Sequence, residues 1–309
     1  MVRTNQIPPG YQTFRRTIEV LGCKTRVNGY FPATMSRLTE LLDELSRKFS
    51  NNRLTYQKGI PTLHPESVAE AAGMIRAARG CGQKLFITGF GNNIDPVGPA
   101  FAELVTLRDD RLNDLLAIDE ASLTITVGAG FPLREINAKL REQNLFFPHS
   151  NLPYVGSVGG AIAVGLGARL DRKHWEDRVV AGEKVAPTID ISRYILGLDV
   201  ATPLGQVRSF GTGSERVASG ENFARVFSPS WGLYGFIAAA KLRVAPLGAQ
   251  AEYDNLTQNP ISQSSFLVAL DNDPQAKIES VRAPSYAAQV RAKFDPDGVF
   301  PIVYASGGL

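Results

Sequence analysis

A run of small residues at positions 148–168 is well suited to bind an anionic ligand. It contains five glycines, and after Tyr154 no side chain in it is larger than leucine. The turn at 156–160, Gly-Ser-Val-Gly-Gly, offers successive backbone N–H groups and the Ser157 hydroxyl without side-chain obstruction. Such a turn can bind a pyrophosphate through backbone dipoles. A glycine turn that leads into a small-residue helix packed closely on a sheet has the same composition, so both interpretations are open at this point.

A second glycine-containing loop follows a predicted strand. Residues 84–88, Lys-Leu-Phe-Ile-Thr, predict the strand, and residues 89–93 read Gly-Phe-Gly-Asn-Asn. A strand that opens into such a loop can also direct backbone donors toward a phosphate. A Rossmann dinucleotide site is excluded, because the loop lacks the third glycine and no acidic residue follows a second strand.

The composition is that of a soluble globular protein. The 309 residues are 44% hydrophobic and 20% charged, with a net charge of +3. Basic residues are scattered, which argues against a nucleic-acid partner. Cys23 and Cys81 suggest neither a disulfide framework nor a zinc site, so no metal is expected. No segment approaches the roughly 18 apolar residues of a spanning helix, and the N-terminal residues contain no apolar run typical of a signal peptide, so we expect none. We expect a cytoplasmic protein without an integral membrane segment.

Helices and strands are predicted to alternate around the two loops. Apolar residues at helical spacing, from Leu38 to Phe49, predict an amphipathic helix. Residues 1–33 are predicted to form an extended arm, and residues 171–192 are predicted to form a polar surface segment. Further helices are predicted from 63–67 to Gly80, over 132–143 and around 221–227, and strands over 103–107, 114–118, 122–127, 194–200, 206–210 and a run ending at Val244.

Five motifs in this order carry a resemblance to a known family. They are Pro-Glu-Ser at 65–67, Gly-Phe-Gly-Asn-Asn at 89–93, Val-Gly-Ser-Val-Gly-Gly-Ala-Ile-Ala at 155–163, the segment 232–246 and Phe-Asp-Pro-Asp-Gly at 294–298. The chain resembles the FAD-binding domain shared by vanillyl-alcohol oxidase, p-cresol methylhydroxylase, D-lactate dehydrogenases and the FAD-binding subunit of glycolate oxidase. The resemblance covers roughly residues 35–246 and 285–300.

The resemblance implies an α+β fold with two subdomains. An N-terminal arm over 1–34 would precede an FAD-binding domain over 35–246, with subdomains of about 35–143 and 144–246. The family normally inserts a cap domain after Pro246. Residues 247–309 are too few for it, so we expect a strongly reduced cap and a C-terminal return segment, as in cap-less subunits such as that of glycolate oxidase.

The resemblance also implies which residues bind FAD. Three groups stand at the positions where the family wraps the pyrophosphate and the flavin. They are Gly89, Phe90, Gly91, Asn92 and Asn93 in the first loop; Gly156, Ser157, Val158, Gly159, Gly160 and Ala163 in the second; and Gly235, Phe236 and Ile237 near the end of the domain. Covalent members attach the flavin to a histidine in the first loop or to a cysteine. This loop has Asn92 and Asn93 with neither nearby, so we expect non-covalent FAD.

No catalytic base is evident from the sequence. His149 and His174 flank the second loop and are weak candidates, because either can lie near a flavin and accept a proton. The alternative for His149 is a loop histidine satisfied by backbone groups, and for His174 a solvated surface residue. Tyr154 and Tyr234 can contact the cofactor or pack in the core.

The function that the resemblance supports best is that of an FAD-dependent oxidoreductase, a dehydrogenase or oxidase. It would transfer a hydride from a small hydroxylated substrate to FAD. A 2-hydroxy acid is the substrate class that the resemblance supports best. A partner subunit or a second copy of the chain is expected to complete the substrate pocket. The alternative is a non-catalytic flavin-holding or scaffold subunit of a complex. A reductase of the cell-wall precursor type ranks below both, since its motif-embedded Ser or Glu acid is not found.

Overall fold

The computed structural model describes residues 11–20, 23–57, 59–92, 104–170, 188–212, 222–253, 256–258 and 285–301. Helices α1 to α5 are Ala33–Lys48, Val68–Gly80, Ile136–Leu140, Val158–Val164 and Ser285–Phe294. Strands β1 to β16 are Tyr11–Val20, Cys23–Pro32, Leu54–Gln57, Ile60–Leu63, Leu85–Thr88, Val105–Arg108, Leu115–Asp119, Thr124–Gly128, Leu145–Phe146, Gly167–Leu170, Thr188–Asp190, Ile195–Ala201, Val207–Gly211, Phe236–Arg243, Ala245–Pro246 and Leu256–Gln258.

The first large sheet has four strands in the order β3-β4-β6-β5. Strands β4, β6 and β5 are parallel, and β3 pairs antiparallel with β4. Because the carboxyl ends of parallel strands meet at one edge, the loops after β5 and β6 lie side by side. Helix α2 connects β4 to β5. Its first turn is capped by Ser67, whose hydroxyl accepts a hydrogen bond from Glu70 N at 3.1 Å, and this serine is the last residue of the Pro-Glu-Ser motif.

The second large sheet has five antiparallel strands in the order β13-β12-β14-β8-β7. Its central strand, β14, carries a β-bulge, since Ile237 pairs with Val200 and Ala239 with Asp199. The extra residue, Ala238, reverses the alternation of the side chains. Phe236 and Ala238 pack into the core that contains α2, whereas Ile237 and Ala240 pack into the core that contains α4. The strand therefore contributes to two cores, and the bulge places Ala240 in the same core as Ile237.

Helix α2 lies between the two sheets. Its buried face consists of Ala71, Ala72, Met74, Ile75, Ala77 and Ala78. These residues share a core with Leu85 and Val105 of the first sheet and with Ala201 and Phe236 of the second.

The mixed helix and sheet content confirms the predicted α+β class. The change from the first sheet to the second falls between Arg108 and Leu115, earlier in the chain than the boundary near residue 143 that the resemblance implied.

Several predicted elements differ in form. The extended arm contains an antiparallel pair, β1 with β2. The helix predicted over 132–143 is divided into a 3-10 turn, α3 and a second 3-10 turn. The buried Asn137 side chain accepts from Phe147 N at 2.7 Å and donates to Phe147 O at 3.1 Å, so its amide is used for tertiary contacts that helical periodicity does not reveal. The helix predicted around 221–227 is a 3-10 helix, Phe223–Phe227.

The C-terminal described segment returns to both sheets. The ring of Phe294, at the end of α5, lies 5.7 Å from Tyr234 and 6.1 Å from Phe227, measured between centroids. The Asp295 carboxylate accepts hydrogen bonds from Val299 N and Phe300 N, both at 2.8 Å, and so closes the Phe-Asp-Pro-Asp-Gly turn. Leu85 N then donates to Val299 O at 2.9 Å, which attaches this segment to β5.

Among the residues that the structure describes, no helix has both the length and the apolar character needed to cross a bilayer.

We predict that Phe227→Ala destabilises the protein strongly. The Phe227 side chain is fully buried among Phe210, Tyr234 and Phe294, so truncation removes apolar contacts and leaves a cavity. Chemical denaturation should show a loss of about 3–5 kcal/mol in the free energy of unfolding. Phe223→Ala is the matched control, because Phe223 lies in the same 3-10 helix and is 69% exposed. Equal effects of the two substitutions would contradict this packing.

Candidate functional site

A cavity lies where the carboxyl end of β5, the first turn of α4 and the start of β14 meet. The space that it encloses is about 110 Å³, and it opens to the solvent at its mouth. The walls come from 86–92, from residues between Tyr154 and Val164, and from 231–237, with Asp109 and Pro301 between them. Both large sheets therefore contribute to one site.

The loop after β5 is held by two side chains. The Arg108 guanidinium donates to Phe90 O at 3.0 Å and to Gln57 Oε1 at 2.7 Å. Asn92 Nδ2 donates to Val155 O at 3.1 Å, which ties this loop to the second glycine segment. Within the described ranges, no backbone carbonyl accepts from the N–H groups of Phe90, Gly91 and Asn92. These donors border the cavity.

The second glycine segment is fixed by Ser157. Its hydroxyl accepts from Gly160 N at 3.0 Å, which caps α4, and donates to Asp109 Oδ2 at 2.8 Å. Val158 N donates to Phe131 O at 2.9 Å and Gly159 N to Ala129 O at 2.7 Å. Ser157 and Val158 are fully buried and do not line the cavity.

Several glycines are required by close contacts within the protein. A Cβ at Gly89 would lie 2.6 Å from Ser157 Oγ, and one at Gly159 would lie 2.8 Å from the Ala129 Cβ. A Cβ at Gly235 would lie 2.5 Å from Val200 Cγ1. Heavier side chains would separate the segments that form the cavity. The two interpretations of the glycine-rich sequence thus both apply, since the glycines bring backbone segments together and the joined segments form the site.

Asp109 is a buried acidic residue in the cavity lining. It is 4% exposed, and its Oδ1 has no hydrogen-bond partner among the described residues. Burial raises the pKa of the carboxyl from its ordinary value of 3.8 to about 8; the hydrogen bond from Ser157 and the charge of Arg108 oppose this, and the charge of Asp110 adds to it. At pH 7 the carboxyl is therefore protonated.

Comparison with known proteins identifies the segment around this cavity. The family described as FAD binding domain matches residues 61–193. These residues are similar to an FAD binding domain. The match contains β4 to β11, including both glycine segments and Asp109, and confirms the resemblance given by the sequence motifs.

The relatives agree with this identification. A D-2-hydroxyglutarate dehydrogenase of Xanthomonas citri pv. viticola is 29% identical over 184 residues, which are 58% of this chain and 35% of that protein. The chain thus spans about a third of that relative. A 4-ethylphenol oxidase from Gulosibacter chungangensis has the same fold, with a TM-score of 0.53 and 17% sequence identity. This match covers 68% of the present chain and 43% of the oxidase chain. An alkyldihydroxyacetonephosphate synthase matches with a TM-score of 0.50 and 17% identity, over 76% of this chain and 51% of its own.

The cavity of the FAD binding domain fits FAD in its chemistry. Apolar side chains such as Ile87, Leu233 and Phe236 suit a flat aromatic ring, and the loop after β5 supplies uncharged backbone donors. The N–H groups of 158–160 in the second turn, which the sequence predicted as donors to a ligand, are instead used within the protein. An ionised carboxylate beside the two phosphate charges would oppose binding. Because burial keeps Asp109 neutral at pH 7, this residue is compatible with the anionic part of FAD.

Most of the predicted cofactor residues converge on this cavity. Eleven of the fourteen line it: Gly89, Phe90, Gly91, Asn92, Gly156, Gly159, Gly160, Ala163, Gly235, Phe236 and Ile237. Ser157 and Val158 lie behind the lining, and Asn93 lies outside the described residues. That these residues bind FAD stays a prediction.

The histidine candidates are not brought to the cavity. His149 is fully buried beside the rings of Phe147 and Tyr194 and does not line the site. Its Nε2 lies 3.1 Å from Ile189 O, so Nε2 carries the hydrogen, and burial lowers the pKa of the ring to about 4. A backbone group thus satisfies one ring nitrogen, as in the alternative given above, whereas the buried Nδ1 has no hydrogen-bond partner among the described residues. His174 lies outside the described residues.

Sequence reasoning missed Asp109 and Arg108. Both follow the strand predicted over 103–107, and a usable signal was present. A parallel strand next to 84–88 would place its carboxyl end, and the acidic pair Asp109-Asp110, at the same sheet edge as the first glycine loop. In the described part of the chain, no group of three or more His, Cys, Asp or Glu side chains is placed to hold a metal ion.

We predict that Gly159→Ala lowers stability even without FAD. The added methyl group would meet Ala129 and, at 2.9 Å, Asp109 Oδ2. Overpacking of this kind typically costs about 1–3 kcal/mol, which denaturation of the FAD-free chain can measure. Gly80→Ala, at the last residue of α2 with no atom within 4 Å of the new Cβ, should not destabilise the protein. An unchanged stability of the Gly159 variant would show that this glycine serves the ligand alone.

We predict that Asp109→Asn stabilises the FAD-free protein increasingly as pH rises. The folded chain holds the Asp109 proton up to about pH 8, whereas the unfolded chain releases it near 3.8. The wild type therefore loses stability relative to the variant as the pH rises between those values. Thermal unfolding at intervals from pH 4 to pH 8 measures this difference. The exposed Asp114→Asn is the control, and a pH-independent difference for Asp109→Asn would contradict the prediction.

Proposed function

We propose that this chain binds FAD non-covalently and acts as an FAD-dependent oxidoreductase on a small hydroxylated substrate. The observation that carries the proposal is the convergence of the three predicted cofactor segments on one cavity. Two of these segments lie within the residues that match the FAD binding domain.

In this proposal each wall of the cavity has a separate task. The loop held by Arg108 offers the N–H groups of Phe90, Gly91 and Asn92 to the diphosphate. The turn at 156–160 closes over the same group from the other side. Phe236, Ile237 and Leu233 provide an apolar surface for a ring system and exclude water from it.

Non-covalent attachment is supported by the composition of the lining. No histidine or cysteine is found among the described residues that line the cavity. Covalent flavin attachment through a histidine or a cysteine would need one of these side chains, so we expect a cofactor held here to be released when the protein unfolds.

When bound, FAD accepts a hydride, so that a hydroxylated substrate gives up a hydride and a hydroxyl proton and becomes a carbonyl compound. The described lining offers Asp109 and Tyr154 as its ionisable side chains. Asp109 is protonated at pH 7, and so it cannot serve as a base there. The proton acceptor is thus expected from water, from outside the described ranges, or from a second polypeptide.

We infer a 2-hydroxy acid as the substrate class. The name of the Xanthomonas relative, D-2-hydroxyglutarate dehydrogenase, denotes a protein that acts on a 2-hydroxy acid. This chain spans about a third of that relative, so we propose that a partner subunit or a second copy of the chain completes the pocket. A flavin-holding subunit without its own chemistry is the second candidate. It is favoured by the position of His149, outside the cavity lining.

The first experiment is a visible absorption spectrum of the purified chain after incubation with excess FAD and removal of the unbound cofactor. We expect a flavin band, and heat denaturation should release the chromophore into the supernatant. Anaerobic addition of D-2-hydroxyglutarate, D-lactate or glycolate should then bleach the band. Bound flavin that no hydroxy acid reduces, with or without a candidate partner, would favour the flavin-holding alternative, and no bound flavin would overturn the proposal.

A substitution in the cavity lining tests whether FAD binds in this cavity. Ala163→Leu adds bulk to a residue of the lining and should weaken FAD binding at least about tenfold, or 1.4 kcal/mol, as measured by fluorescence titration. Ala121→Leu, at an exposed turn, should leave the affinity unchanged. Equal affinity of both variants would place FAD elsewhere.

A further inference from the structure

Asp109 carries an inference that the FAD binding domain alone does not supply. We propose that the Asp109 carboxyl must be protonated for the diphosphate of FAD to bind, so that in alkaline solution, where the free chain has lost this proton, FAD binding restores it. The inference rests on the proposed binding of FAD in the cavity. It makes Asp109 a residue that sets the affinity through its protonation state.

The position of the carboxyl is the first support. Asp109 follows β6 at the sheet edge where the loop after β5 begins. A Cβ placed on Gly89 would lie 3.6 Å from both carboxyl oxygens, and one placed on Gly159 would lie 2.9 Å from Oδ2. The carboxyl is therefore in van der Waals reach of both glycine segments proposed to hold the diphosphate.

The hydrogen bonding of the carboxyl is the second support. Oδ2 accepts from Ser157 Oγ at 2.8 Å, whereas Oδ1 is buried without a partner among the described residues. An ionised carboxylate with an unsatisfied oxygen is costly in such a place. In a protonated carboxyl, one oxygen carries the hydrogen and becomes a donor. An anionic ligand in the cavity can accept the hydrogen bond from this oxygen.

The neighbouring charges do not neutralise Asp109. The Arg108 guanidinium contacts Gln57, Phe90 O and, at 3.6 Å, the Asp110 carboxylate. Asp110 also pairs with His64 Nδ1 at 2.7 Å. On the α4 side, the neighbour is the uncharged Ser157. Burial thus prevails over the attraction of Arg108, and the pKa of Asp109 is raised to about 8.

The sign of the coupling follows from these charges. The two negative charges of a bound diphosphate raise the pKa of Asp109 further, because they disfavour a second anion nearby. Between the pKa of the free chain and that of the complex, FAD binding takes up a proton. The affinity should be level below about pH 7.5 and fall by up to about tenfold per pH unit above pH 8.

The test measures FAD affinity of the FAD-free full chain by fluorescence titration between pH 6.5 and 9.5. We expect the dissociation constant to rise by up to about 30-fold at pH 9.5, the result of one proton with a pKa near 8. Asp109→Asn cannot ionise and should remove this dependence. Asp114→Asn, which removes an exposed carboxylate away from the lining, should follow the wild type.

A second measurement needs no variant. Titration calorimetry at pH 8.5 in two buffers of different ionisation enthalpy counts the protons taken up with FAD, and about 0.8 proton is expected for a pKa near 8. No proton uptake, or a pH dependence that persists in Asp109→Asn, overturns the role of Asp109 and leaves FAD binding intact. No FAD binding by the wild type at any pH overturns the proposed function as well.

Discussion

The hydrogen bond from Ser157 Oγ to Asp109 Oδ2 joins the two halves of the FAD binding domain at the cavity. Asp109 belongs to the loop after β6 in the first sheet, and Ser157 caps α4, which covers the second sheet. The bond forms in a space so narrow that Gly89 and Gly159 admit no Cβ. The position of each glycine segment therefore depends on the other, and the cavity exists because the two segments meet there.

The bond also bears on how an acidic residue is accommodated in a site proposed to bind an anion. Burial makes a charged carboxylate unfavourable, and the protonated form retains the contact with Ser157. The same desolvation acts on His149, whose ring stays neutral in the α4 core. Burial thus holds both ionisable groups in their uncharged forms, with opposite shifts of the pKa.

The sequence predicted those parts that depend on local backbone chemistry. Gly91 adopts a φ of +81°, and the glycines around Ser157 permit close approach, so their spacing indicated the site. Helix α2 was foreseen from its apolar stripe and its cap at Ser67. Features that depend on distant partners were not foreseen. Asn137 interrupts a regular helix through its hydrogen bonds to Phe147. Asp109 lies beside the first glycine loop only because β5 and β6 pair side by side. The burial of His149 likewise depends on Tyr194, 45 residues later in the chain.

Helix α2 packs against both large sheets within a single core. Its alanine-rich face touches the first sheet and, through Ala201 and Phe236, the second, while its Arg76 side chain donates to Gly205 O beyond β12. Neither sheet can be separated from the other without exposing part of this helix. The two halves are therefore a single cooperative unit of folding, and an evolutionary exchange of one half between related proteins would have to carry a matching α2 with it.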